Sequence, residues 1–92
     1  MPDLRELEAK ALAAQRSENW DLAVAVWNSI LADQPNWESG YGYYNLADCY
    51  TRLGQLDSAE AAYRQAISIA PEDSLFSETL ESLVEARRAG HI

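Results

Sequence analysis

Ninety-two residues are enough for one small domain with a single core. Apolar residues make up 48% and charged residues 24%, which is globular rather than disordered composition. Fifteen carboxylates against seven Lys and Arg give a net charge of −8, spread over both halves of the chain; this argues against a phosphate-neutralising nucleic-acid surface and against attraction to an anionic membrane.

The elements read as helix from end to end, because Ala, Leu, Glu and Arg dominate and no stretch alternates like a strand. The first helix is predicted from about Leu4 to Arg16. Asp3 and Glu6 stand at capping-box spacing, and Leu4, Leu7, Ala11 and Ala14 lie on one stripe. The second runs from about Asp21 to Ala32, apolar along Leu22, Ala23, Val26, Trp27 and Ile30, and Pro35 stops it. The third runs from about Ser39 to Leu53 and ends at Gly54. The fourth starts at Asp57, again with a carboxylate three residues on at Glu60, and ends before Pro71. The fifth spans about Ser74 to Ala89, with Leu75, Phe76, Leu80, Leu83 and Val84 on one face and Glu78, Glu81, Ser82, Glu85 and Arg88 on the other. Short connections predict antiparallel hairpins. No apolar run reaches the ~20 residues of a bilayer span. One cysteine excludes an internal disulfide, and Pro2, Asp3, Glu6 and Glu8 are unlike a secretory leader, so a cytoplasmic location is expected.

Shifting the chain by 36 residues lays Leu7 over Tyr43, Ala11 over Ala47, Ala23 over Ala59, Trp27 over Tyr63 and Pro35 over Pro71. Each unit is then two antiparallel helices, with alanines where the axes approach and aromatics beside them. The second unit carries Tyr43-Tyr44-Asn45-Leu46-Ala47, Tyr50, Leu53-Gly54, Ala59, Tyr63, Ala66-Ile67 and Pro71. In this pattern the chain resembles the tetratricopeptide repeat family. The first unit matches more loosely: Ala14 replaces an aromatic and Lys10 a leucine. The offset exceeds the family's usual ~34 residues, and the extra length falls between Pro35 and Tyr43. The resemblance implies an all-α array of antiparallel helix-turn-helix repeats, an α-α superhelix of five helices. One domain fills residues 1–92: repeat one about 4–37, repeat two about 40–73, and a capping helix about 74–89. A polar-backed last helix suits the solvent-facing end of such an array.

Catalysis has little support. His91 is the only histidine and stands near the C-terminus; with one cysteine besides, no soft or borderline metal site can be assembled within the chain. Gly40 and Gly42 lack the preceding strand of a phosphate-binding loop. Cys49, amid Leu46, Ala47 and Tyr50, reads as a small packing residue, not a reactive thiol. No cofactor is expected, and an enzyme is the least favoured reading. Trp37, in the enlarged connection, is either a staple for that loop or an exposed recognition residue, and the staple is favoured.

The resemblance implies a concave groove lined by the first helix of each unit, holding a peptide of a partner protein. The positions carried over are Arg5, Leu12 and Arg16 in unit one, with Glu8, Ala9 and Gln15 beside them. Unit two gives Tyr41, Tyr44, Asn45, Asp48 and Arg52, with Thr51. Tyrosines offer flat contact with a polar tip, Asn45 can clamp a peptide backbone, and Arg16 and Arg52 can grip a carboxylate. Tyr44, Asn45 and Arg52 are expected to be dispensable for packing. The basic clamp that some family members use for carboxylate-ended chaperone peptides looks absent, since Glu8, Leu12, Leu75 and Thr79 occupy its places. The favoured function is therefore a non-enzymatic module that binds a protein segment, without nucleic acid or membrane. The alternative is self-assembly, a homodimer covering the open side of unit one.

Overall fold

The computed structural model describes residues 3–91. Five α-helices follow one another: α1 (Leu4–Arg16), α2 (Trp20–Asp33), α3 (Tyr41–Arg52), α4 (Leu56–Ile69) and α5 (Ser74–Arg88). A single 3-10 turn, Trp37–Gly40, stands before α3. Each helix packs on the next, so α1–α2 and α3–α4 are hairpins and α5 lies on α4. Side chains also bridge α1 to α3 (Gln15 to Asn45) and α3 to α5 (Tyr41 to Phe76), which puts α1, α3 and α5 in one layer and α2 and α4 in the other. The resulting slab measures 44 × 29 × 17 Å. The all-α array of paired helices read from the sequence is the observed fold.

Caps explain the helix ends. Asp3 accepts the amide N–H of Arg5 at 2.9 Å, and Asp73 accepts that of Leu75 at 3.0 Å. Asn19 accepts the Leu22 N–H, so α2 begins at Trp20, before the expected Asp21. α4 likewise begins a residue early, at Leu56, after Gln55, whose side chain makes no cap bond. Asp57 and Glu60 are therefore not a capping pair. Both carboxylates instead take the guanidinium of Arg87 near the end of α5, Asp57 at 3.0 Å and Glu60 in closer contact.

α3 begins at Tyr41, not at Ser39. Glu38 and Ser39 hold φ of 50° and 54°, and Gly40 holds 101°. Three successive left-handed residues cannot belong to a right-handed helix. The extra length between the units is spent on this reversal. Elsewhere the units match: Glu18 (φ 58°) ends α1 where Gly54 (φ 77°) ends α3, 36 residues on, although the glutamate bears a steric cost that glycine avoids.

The core follows the repeat. Ala11, Ala23, Ala47 and Ala59 are fully enclosed, and Trp27 and Tyr63 are buried at equivalent places in α2 and α4. The Trp27 indole N–H donates to Gln15 Oε1 at 2.7 Å, so burial leaves it satisfied. Tyr43 and Tyr50 are half-buried against the same cluster. Phe76, Leu80 and Leu83 seat α5, with Val84 half-buried, whereas Leu75, expected on that apolar face, points outward at 38% exposure. Because the enclosed alanines mark close helix approaches, Ala23→Leu and Ala59→Leu should each destabilise by about 1–3 kcal/mol. Denaturant titration checks this; wild-type midpoints for both would contradict the packing register.

Candidate functional site

The layer of α1, α3 and α5, the inner layer of the expected groove, carries the residues expected to line it, and they fall into three groups. The first is organised around Trp37. Its indole N–H donates to Glu8 Oε2 at 3.0 Å, and the Arg5 guanidinium lies 4.7 Å from the ring centroid. Arg5 also pairs with Glu8 at 3.0 Å and with Glu38. These two carboxylates, Glu8 foremost, raise the pKa of Arg5. Trp37 is half-buried and packs against the core, so it is a staple, fastening the left-handed turn to the first turns of α1.

The second group is aromatic. The Tyr41 ring meets the Phe76 ring edge-on at 5.1 Å, and Tyr44 lies 5.5 Å from Phe76 and 5.8 Å from Tyr63. Phe76 is fully buried, Tyr44 half-buried, and Tyr41 is 41% exposed. Tyr44 therefore has a packing role, contrary to the expectation that it could be spared: one helical turn after Tyr41, its ring reaches across to α4 and α5. Phe76 was legible in the sequence only as part of an apolar face. Its place beneath Tyr41 depends on how α5 docks, which local sequence does not encode.

The third group is polar. Asn45 Nδ2 donates to the Tyr41 carbonyl at 2.9 Å, and its Oδ1 accepts from Gln15 Nε2 at 3.4 Å. Asn45 is thus already engaged within the chain, which also departs from the expectation. Gln15 joins Asn45 to Trp27 and holds α1 against α3. Asp48 pairs with Arg52 at 3.7 Å, and the Arg52 guanidinium lies 5.5 Å from the Trp20 ring. Leu12 is half-buried against the core, and Arg16 is exposed in the last turn of α1. The structure thus brings Tyr41, Tyr44, Asn45, Asp48 and Arg52 onto one helix flank, with Arg5, Leu12 and Arg16 along α1.

Elsewhere, a hollow of about 270 Å³ opens between α3 and α4, walled by Tyr43, Tyr50, Ala61 and Gln65, and none of the groove residues borders it. Among the described residues no cluster of three or more His, Cys, Asp or Glu is placed to hold a metal ion, and no helix is long and apolar enough to cross a membrane. Cys49 is fully buried, as its neighbours suggested, and desolvation pushes its thiol from 9.0 up to about 11. Burial raises the Tyr63 hydroxyl too, opposed in part by Thr51. Both acids hold their protons more tightly folded than unfolded. Their contribution is complete below the unfolded pKa and is lost as pH rises through the folded one. Stability should therefore fall between about pH 9 and 11, and Cys49→Ala should flatten that slope in pH-dependent melts. An unchanged slope would show that Cys49 does not titrate with unfolding.

Residues 40–73 match the family model described as tetratricopeptide repeat. The chain is 36% identical over 63 residues to tetratricopeptide repeat protein 16 of Homo sapiens and of Macaca fascicularis. The match covers 68% of this chain and 7% of each relative. The protein of the same name from Mus musculus is 42% identical over 50 residues, covering 54% of this chain and 6% of the relative. The chain therefore spans a small part of the curated relatives it matches. No solved structure gives a significant match. The matched repeat coincides with the α3–α4 hairpin, its buried alanines and tyrosine fall at repeat-equivalent places, and α1–α2 repeats them 36 residues earlier: the chain belongs to the tetratricopeptide repeat family.

Proposed function

We propose that this protein is a non-enzymatic interaction module whose inner layer binds an extended segment of a partner protein. One observation carries the reading. Among the described residues only Leu22, Tyr41 and Leu75 are large hydrophobics left exposed, and two of the three stand on inner-layer helices, Tyr41 on α3 edge-on to buried Phe76 and Leu75 next to Phe76 in the sequence of α5. An aromatic ring held edge-on by a buried ring is pre-ordered, so little side-chain entropy remains to be lost on binding. The same observation ranks peptide binding above self-assembly on the open side of unit one, where Leu22 alone among the described residues is an exposed large hydrophobic.

Among the expected contact residues, Tyr41 is the one to test. Its ring is 41% exposed, whereas Tyr44 and Asn45 serve the fold and Arg52 is paired with Asp48. Peptides selected from a random display library on the wild-type protein should lose at least about tenfold in affinity for Tyr41→Ala. The melting temperature of that variant should stay within a few degrees of wild type. Selected peptides that bind the variant equally well would remove the inner layer as the site.

A further inference from the structure

Resting on the inner-layer reading above, we infer that the segment it takes is cationic, with an apolar anchor residue flanked by Lys or Arg. The apolar part is Tyr41, edge-on to buried Phe76, with Leu75 exposed one residue before Phe76 on α5. The sign of the charge follows from which ionic groups are already matched. Arg5, in the first turns of α1, and Arg52, the one cation of α3, are both satisfied within the chain. Arg5 faces two carboxylates, Glu8 and Glu38, and Arg52 faces Asp48. Neither has charge to spare for a partner carboxylate, and the Arg5 group carries one negative charge in excess.

Leu75, Glu78, Thr79 and Ser82 share a flank of α5 by helical spacing, and Glu85 continues the Glu78 edge two turns on. Glu78 and Glu85 make no ion pair among the described residues, and both are exposed. The helices on either side of α3 in this layer therefore each carry unmatched carboxylate, one charge in excess around Arg5 at the start of α1 and Glu78 early in α5, while Glu85 has Arg88 beside it. Arg16 lies at the far end of α1, in its last turn. A second copy of this chain, itself at −8, is a poor occupant of such a face, and so is an acidic peptide.

The test uses two pools of synthetic fluorescein-labelled 12-residue peptides. Both have a central Leu or Phe; one has Lys and Arg at the flanking positions and the other Asp and Glu. Binding is read by anisotropy at low and at physiological salt. The best cationic peptide should bind at least about tenfold tighter than the best acidic one, and weaken with added salt. Tyr41→Ala and Leu75→Ala should each weaken it about tenfold. The Glu78→Gln/Glu85→Gln variant should weaken it roughly three- to tenfold. Asp21→Asn/Asp33→Asn, an equal change of net charge on α2, should stay within about twofold of wild type.

Tighter binding of the acidic pool, still lost with Tyr41→Ala, would overturn the charge assignment and leave the inner-layer site standing. Equal losses in the α5 and α2 charge variants would reduce the preference to long-range attraction and overturn it as well. If neither pool responds to Tyr41→Ala or Leu75→Ala, the inner-layer reading itself fails.

Discussion

Phe76→Ala is expected to lower stability by about 3–5 kcal/mol, the range for emptying a buried aromatic site. The ring is fully buried between α3 and α4 and supports Tyr41 and Tyr44 on one side. Its removal leaves a void that two partly exposed tyrosines cannot fill without giving up their edge contacts. For a domain of this size the melting temperature should drop by about 12 °C or more. Loss of α5 altogether, by deleting residues 74–92, should go further and expose the apolar side of α4 to aggregation. Thermal denaturation followed by circular dichroism checks the first and light scattering the second. A Phe76→Ala variant melting within about 3 °C of wild type would mean that α5 is not seated as described.

Gly40→Ala comes next in size. A Cβ at Gly40 would lie 2.9 Å from Phe76 Cε2 and 3.1 Å from the Ala66 carbonyl oxygen, and the backbone there holds φ at 101°. The left-handed conformation alone costs a side chain about 1–2 kcal/mol, and the overlap with a helix carbonyl adds about 1–3 kcal/mol. The internal control is Gly54→Ala. Gly54 has φ of 77°, yet nothing within 4 Å of the added carbon. Only the conformational part should appear there, so Gly40→Ala should be the more damaging by at least about 1 kcal/mol in urea titrations. Equal effects at the two glycines would remove the close approach of the turn to α4 and α5 from the account.

How much of this was legible in the sequence differs by element. The repeat was, because a buried alanine or aromatic every 36 residues is a one-dimensional signal: Ala11 and Ala47, Ala23 and Ala59, and Trp27 and Tyr63 are buried as the offset implied. The start of α3 was not. Glu38 and Ser39 carry no preference for left-handed backbone strong enough to announce it, and the turn is held by contacts from α1 that only the fold supplies. Among the expected groove residues, helical spacing placed Tyr41, Asp48 and Arg52 on one flank of α3. It could not show that Tyr44 reaches α5 or that Asn45 is bonded to Gln15, since both depend on how neighbouring helices lie against α3. The ionic partners of Arg5 and Arg87 were hidden for the same reason, being far apart in the chain.

The Arg87 contacts also bear on how the array comes apart. A helix packed on one neighbour ordinarily loosens from an unfastened end, one turn at a time. Here the first turn of α5 is anchored by Phe76, and its last turn is tied to Asp57 and Glu60 at the opening of α4. With both ends fastened, neither can peel back on its own account. Detachment of α5 becomes a single event coupled to the start of α4, so the α3–α4 hairpin and α5 come apart as one cooperative unit.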